Sequence, residues 1–351
     1  MSTGLRIGIV TKEWPPQVYG GAGVHVVQLS QALRNQPNIE VDVHCFGGPR
    51  SDANGYSTPT GFENSNAALQ ALATDLAIAE NLNDVDVIHS HTWYANFAGF
   101  TANLLHGIPH VVSAHSLEPL RPWKAEQLGG GYQISSWAEK SAYEAADAII
   151  AVSQGMRRDV IKAYPALDPN KVHAILNGID TEKYRPSPNS QLLSKYGISG
   201  KYAIFVGRIT RQKGLAHLLR AWQEVNPEFG LVLAAGSPDE PVIGKEVSDA
   251  INKLKAERNN VWWFEKMLPQ DEVISLLSSA DLFICPSIYE PLGIVNLEAM
   301  ACETAVLASD VGGIPEVVEA GVTGELIHYD GQADSFEAKF TERIKIGRAH
   351  V

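Results

Sequence analysis

Along almost all of its 351 residues the chain alternates short apolar runs with longer segments of helical period. Runs at 5–11, 40–45, 85–89, 110–114, 148–152 and 172–176 are too short for helices and rich in Val, Ile and Ala, as strands buried on both faces are. Between them lie amphipathic stretches at 24–34, 67–81, 95–106, 135–146 and 154–164. Strand–helix–strand alternation needs a right-handed crossover at each step, which gives a doubly wound parallel sheet with helices on both faces. The rhythm breaks at Asn177-Gly178-Ile179-Asp180 and resumes with runs at 202–206, 231–235, 261–264, 282–285, 305–308 and 324–327. The expected organisation is therefore two α/β domains, residues 1–178 and 201–345, joined by a linker at 179–200. In such sheets ligands sit beyond the carboxyl ends of the strands, so the loops after each strand carry the functional information.

Composition narrows the function classes. The chain is 45% hydrophobic and 19% charged, enough apolar material for two cores. A net charge of −12 argues against a nucleic-acid binder, which needs a basic face to displace phosphate counterions. Three cysteines, Cys45, Cys285 and Cys302, form no C-x-x-C pair and fit a reducing, cytoplasmic setting. No run is long and apolar enough for a membrane span, and the N-terminal apolar stretch is broken by Arg6.

Four loops carry candidate chemistry. The first, Lys12 to Gly23, is glycine-rich and leads into a helix, so its backbone amides can approach an anion. It departs from the dinucleotide fingerprint because Gly21-Ala22-Gly23-Val24-His25-Val26 lacks a third glycine and follows too long a loop. Glu40 or Asp42 still offers a ribose-binding acid, which keeps a nicotinamide-dependent oxidoreductase open as an alternative. A two-domain binding protein without turnover is a third reading. In Gly207-Arg208-Ile209-Thr210-Arg211-Gln212-Lys213-Gly214 three cations within six residues follow a strand and suit a diphosphate. In the 286–300 segment Pro291 is placed for the first helical turn, with the amides of Gly293 and Ile294 aimed at an anion; Glu290 precedes the helix and Glu298 lies two turns inside it. The fourth, after the run at 85–89, carries His89 and His91; without a third ligand nearby no metal is expected there. His115 follows another strand end. No Walker A, G-x-S-x-G or H-E-x-x-H pattern is present.

Taken together, residues 20–23, 113–119, 177–180 and 207–214, the E-x7-E spacing of Glu290 and Glu298, and Asp310 to Glu316 resemble the retaining, nucleotide-sugar-dependent GT-B glycosyltransferases over nearly the whole chain. The phrases 12–23, 89–94 and 114–123 look closest to the actinobacterial-type glycogen synthase group, which includes α-maltose-1-phosphate synthases. The resemblance implies two Rossmann-like domains facing a cleft that closes to exclude water, and transfer by front-face attack without a protein nucleophile. It further implies that Arg208 and Lys213 hold the donor diphosphate, Glu290 grips the glucose, Gly293 and Ile294 donate amides to sugar or phosphate, and Glu298 accepts from the ribose. His115 would line the sugar pocket and Gly21 would approach the donor phosphate. Glu290 and His115 are thus the catalytic candidates, with no metal or other cofactor required.

The implied activity moves glucose from ADP-glucose or UDP-glucose to the 4-hydroxyl of an α-1,4-glucan. The alternative is glucose 1-phosphate as acceptor, giving α-maltose 1-phosphate. No Lys or Arg occurs between Arg50 and Arg121, so a phosphorylated acceptor would draw on Lys12, Arg121, Lys124 or Arg157. Thr92 stands where many bacterial glycogen synthases carry an acid. The family continues for several helices beyond residue 345, and the closing six residues, 346–351, match the translation of a common sequencing-adapter read. A C-terminally truncated chain with a foreign tail is therefore expected.

Overall fold

A computed structural model describes residues 4–125 and 129–346, so all of the expected foreign tail but Ile346 lies outside the described residues. Two compact units divide between Asn177 and Gly178. The first holds a seven-stranded, all-parallel sheet of β1 (Leu5–Thr11), β2 (Ile39–Phe46), β3 (Asn54–Tyr56), β4 (Val87–His91), β5 (His110–Ala114), β6 (Ala148–Ala151) and β7 (Val172–Ala174). Its spatial order is β3-β2-β1-β4-β5-β6-β7. The second holds six parallel strands, β8 (Tyr202–Ile209), β9 (Gly230–Pro238), β10 (Val261–Phe264), β11 (Leu282–Cys285), β12 (Val306–Ser309) and β13 (Gly324–Ile327), ordered β10-β9-β8-β11-β12-β13. Strand order reverses between β1 and β4 in the first unit and between β8 and β11 in the second. At such a point neighbouring crossovers leave in opposite directions and open a crevice at the carboxyl ends.

The cores follow from the pattern. Ile9, Val10, Val43, Ile88 and Val112 are buried in the first sheet, with Val26 packed on one face and Ile78, Ala95 and Ala98 on the other. In the second unit Leu218, Trp222, Phe336 and Phe340 cover one face, and Leu276, Leu277, Ala299 and Ile314 the other. Local signals fix the helix ends: Ser153 Oγ accepts the Met156 amide at 2.8 Å, and Gly107 closes helix Trp93–His106 in the left-handed conformation at φ 69°.

Several boundaries differ from the sequence reading. Strand β3 was not expected, because Asn54-Gly55-Tyr56 has little strand character; it forms by pairing with β2, where His44 Nδ1 lies 2.9 Å from the Tyr56 hydroxyl. Strand β4 runs two residues past the expected end at 89. Its polar residues are satisfied by neighbours: His89 Nε2 lies 2.8 Å from Ser113 Oγ, and Ser90 Oγ lies 2.7 Å from His110 Nε2. The stretch 179–200 is not merely a linker. It forms helix Ser190–Lys195 and buries Tyr184, Leu192 and Ile198 in the second unit's core. Among the described residues no helix is long and apolar enough to cross a membrane.

Candidate active site

The second unit's reversal point collects most of the candidate residues. Strand β8 continues to Ile209, so Arg208 lies within the strand and not in a loop after it; pairing with β9 extends the ladder through Arg208↔Gly236. A single 3-10 turn, Arg211–Lys213, follows, and Gly214 at φ 65° redirects the chain into helix Leu215–Trp222. A Cβ on Gly214 would stand 1.8 Å from the Pro286 carbonyl oxygen, so only glycine allows this turn to lie against the loop after β11. The Ile288 amide donates to the Gln212 carbonyl at 2.8 Å and ties the two segments together.

This contact brings Lys213 onto Glu290. Lys213 Nζ and Glu290 Oε2 are 2.6 Å apart, and Ser287 Oγ donates to the same oxygen at 3.1 Å. Glu290 is only 7% exposed, so its charge depends on these partners. Burial pulls the Lys213 pKa down, but the charge and hydrogen bond of Glu290 pull it up and the net shift is upward, so the ammonium stays charged. Arg208 is close enough to oppose that charge, while its own Nη1 pairs with Asp239 at 2.7 Å. Arg211 Nε lies 3.3 Å from Glu240. The three expected phosphate cations are therefore each paired with a carboxylate.

Glu290 is held from behind. The Gly313 amide donates to the Glu290 carbonyl at 3.0 Å, and only glycine fits at 312, where φ is 57° and a Cβ would stand 1.9 Å from that oxygen. Helix Ile294–Ala301 starts later than expected. Gly293, at φ 88°, is its N-cap, so Pro291 lies outside the first turn. The helix mouth still opens beside Glu290: a Cβ on Gly293 would meet Glu290 Cγ at 3.4 Å. Glu298 sits about one turn inside and is half-buried, with Tyr184 among the groups that act on its carboxyl. Burial raises its pKa to about 6 against the opposing pull of Tyr184 and two lysines.

In the first unit Gly21 opens helix Gly21–Arg34, exposed, with open space where a Cβ would stand. The turn before it is organised by Glu13, whose Oε2 accepts the amides of Tyr19 and Gly20 at 2.9 and 2.8 Å. His115 follows β5 and bonds through Nε2 to His91 Nδ1 at 3.0 Å. His25, on the first helix, brings its ring centroid within 5.0 Å of His115. The sequence reading found no third ligand beside His89 and His91; the fold instead groups His91 with His25 and His115, whose ligand atoms lie within 4.8 Å of one another, and leaves His89 out of the trio. Burial lowers all three imidazoles, His25 to about 4, which keeps them neutral near pH 7. In that state each ring keeps one N–H and has one unprotonated nitrogen, so it can both donate and accept a hydrogen bond. The sequence signal for His25, one polar residue on a helix after the glycine turn, gave no hint of this meeting.

The loop carrying His115 rests on a buried acid pair. Ser135 Oγ donates to Glu118 Oε2 at 2.7 Å, the Glu118 amide to Glu139 Oε1 at 2.8 Å, and the Tyr164 hydroxyl to the same Glu139 oxygen. Burial, with Glu118 adding to it, raises the Glu139 carboxyl to about 8.

Known proteins share both halves. The family model Glycosyltransferase Family 4 matches residues 19–183, and Glycosyl transferases group 1 matches residues 194–349. The chain is 54% identical to α-maltose-1-phosphate synthase of Mycolicibacterium smegmatis over 347 residues, 97% of this chain and 89% of that protein. The chain belongs to the GT-B glycosyltransferases. It is a hexosyltransferase, which sets aside the oxidoreductase and binding-protein readings. The corresponding synthase of Mycobacterium tuberculosis is 51% identical over 346 residues, 97% of this chain and 89% of that one. Among solved structures, Anabaena Alr3699/HepE in complex with UDP and glucose superposes with a TM-score of 0.79 at 22% identity, over 99% of this chain and 90% of that chain. That likeness speaks for the two-domain Rossmann-like fold.

Proposed function

We propose that this hexosyltransferase moves glucose from ADP-glucose or UDP-glucose to glucose 1-phosphate, forming α-maltose 1-phosphate in the cytoplasm. The carrying observation is the 54% identity, across 97% of the chain, with the Mycolicibacterium smegmatis protein that bears this activity's name. It favours the phosphorylated acceptor over the growing glucan. Three free, buried cysteines suit a reducing compartment.

On this reading the second unit handles the donor. Lys213 and Arg208 neutralise the diphosphate as its charge grows, and the amides of Gly293 and Ile294 add the positive end of a helix. Glu290 orients the glucosyl unit through its hydroxyls, and Glu298 accepts from the ribose when ionised. In the first unit His115 offers its ring to a sugar, and the exposed Gly21 leaves the start of its helix open to a phosphate. The bond from C1 to the phosphate oxygen breaks, the acceptor 4-hydroxyl oxygen bonds to C1 from the same face, and its proton passes to the departing diphosphate. No residue forms a covalent intermediate in this scheme, and it requires no metal.

Product analysis with each donor and acceptor tests the reading. A phosphorylated disaccharide together with nucleoside diphosphate is expected from glucose 1-phosphate. Elongation of a maltooligosaccharide with no phosphorylated disaccharide would return the assignment to the glucan.

A further inference from the structure

Four cations of the first unit are within the sequence's means to meet a phosphate, and the fold separates them. Arg157 donates to the carbonyls of Val172 and Pro169 at 2.9 and 3.2 Å and serves the backbone. Arg121 donates to Ser116 Oγ at 3.1 Å and stands 4.0 Å from the buried Glu118. Lys124 is also engaged. Lys12 differs. It follows β1 directly, is half-buried, and lays its ammonium over the Tyr94 ring, 3.7 Å from the centroid. Among the described residues that ammonium forms no ion pair. Its neighbour Glu13 is turned to the amides of Tyr19 and Gly20, and Thr92 carries no charge. Burial lowers the Lys12 pKa, and the charge of the neighbouring Glu13 offsets only part of that. An aromatic face stabilises the cation from one side only and leaves its remaining N–H groups for an anion.

The surroundings suit that anion. Strands β1, β4 and β5 are neighbours, so Lys12, His91 and His115 stand on one rim, with Lys12 and His115 two strand spacings, about 10 Å, apart at the backbone. Helix Trp93–His106 begins on the same rim, and Thr92, at φ 66°, gives it no side-chain cap. The helix's positive end therefore adds to the charge of Lys12. We infer that Lys12, seated on Tyr94 beside the start of helix Trp93–His106, binds the phosphomonoester of the acceptor. This subsite makes the first unit selective for a hexose phosphate over a neutral saccharide, and it rests on the glucose 1-phosphate reading above.

The test uses the full chain and the variants K12M, K12Q and K12R, with melting curves to confirm folding; K12Q replaces K12M if the latter does not fold. The KM for glucose 1-phosphate is expected to rise about ten-fold or more in K12M, with the donor KM changing about two-fold or less, and K12R is expected to recover part of the loss. Inorganic phosphate should compete with glucose 1-phosphate on the unsubstituted protein and compete poorly on K12M. An unchanged KM for glucose 1-phosphate in folded K12M, in a protein that makes α-maltose 1-phosphate, overturns the subsite alone. A protein that makes no such product overturns the acceptor reading and the subsite with it.

Discussion

Replacing Gly312 with alanine tests whether the backbone behind Glu290 sets the reaction rate. Gly312 has φ 57°, and a Cβ there stands 1.9 Å from the Glu290 carbonyl oxygen. Adopting the left-handed conformation costs an alanine about 1–2 kcal/mol. The contact must then open from 1.9 Å to at least 3.0 Å, and the atom that yields belongs to the residue bonded to Lys213. A displacement of about 1 Å at a positioning group costs on the order of 100-fold in rate. Gly321 is the matched control, because it has φ 77° and open space where a Cβ would stand, so Gly321→Ala incurs the conformational cost without the collision. Both variants are compared by release of nucleoside diphosphate under saturating substrates and by thermal melting. Gly321→Ala is expected to lose about 1–2 kcal/mol of stability and keep its rate, whereas Gly312→Ala is expected to fall about 100-fold below it. A folded Gly312→Ala protein turning over within about three-fold of the control would refute the claim that this contact positions Glu290.

Lys213→Ala should lower nucleoside diphosphate release by about 100-fold or more, since it removes a charge aimed at the leaving group; a rate within a few-fold of the parent would count against the clamp. Glu290→Gln should cripple transfer with little change in melting temperature, because the amide keeps the Ser287 hydrogen bond and Lys213 retains access to solvent; a folded, fully active variant would remove Glu290 from the site. Glu139→Gln addresses stability. Its folded carboxyl titrates at about 8 against an ordinary value of 4.5, so ionisation favours the unfolded chain and the carboxyl's contribution declines as pH rises from 4.5 to 8. The span corresponds to roughly 5 kcal/mol. Denaturant titrations at pH 5 and pH 8 should show the parent losing stability relative to Glu139→Gln by several kcal/mol, and an equal difference at both pH values would contradict the buried-acid assignment.

The two sheets were legible because buried parallel strands need continuous apolar runs, and β1, β5, β10, β11 and β13 fall where those runs predict. Strand ends failed where polar residues continue a ladder: Ser90 and His91 look like a loop until His110 and His115 are seen to satisfy them. Strand β8 outran its apolar stretch for a similar reason, since Arg208 meets Asp239 from the end of β9. Residues 179–200 read as polar linker because Tyr184, Leu192 and Ile198 are too sparse to show a period, although each is buried. Candidate residues were legible one loop at a time. Their meetings were not, because they are long-range: Lys213 reaches Glu290 across 77 positions, and His25 joins His91 from a different crossover.

The two reversal points are charged in different ways, and that difference bears on how each binds. In the second unit every candidate cation already has an acid: Arg208 with Asp239, Arg211 with Glu240 and Lys213 with Glu290. On the proposed reading, a diphosphate arriving there would exchange one set of ion pairs for another, so most of its net attraction would come from geometry and from the helix mouth at Gly293 and Ile294. The same exchange would free Glu290 from Lys213 as the sugar needs hydrogen-bond acceptors, so that occupancy of the proposed phosphate position prepares the proposed glucose position. In the first unit Lys12 lies over the Tyr94 ring, feels the charge of Glu13 but forms no ion pair among the described residues, and the histidines beside it are neutral. An anion there displaces no carboxylate. On the proposed reading the donor side is switched by its ligand, whereas the acceptor side holds its cation outside any ion pair.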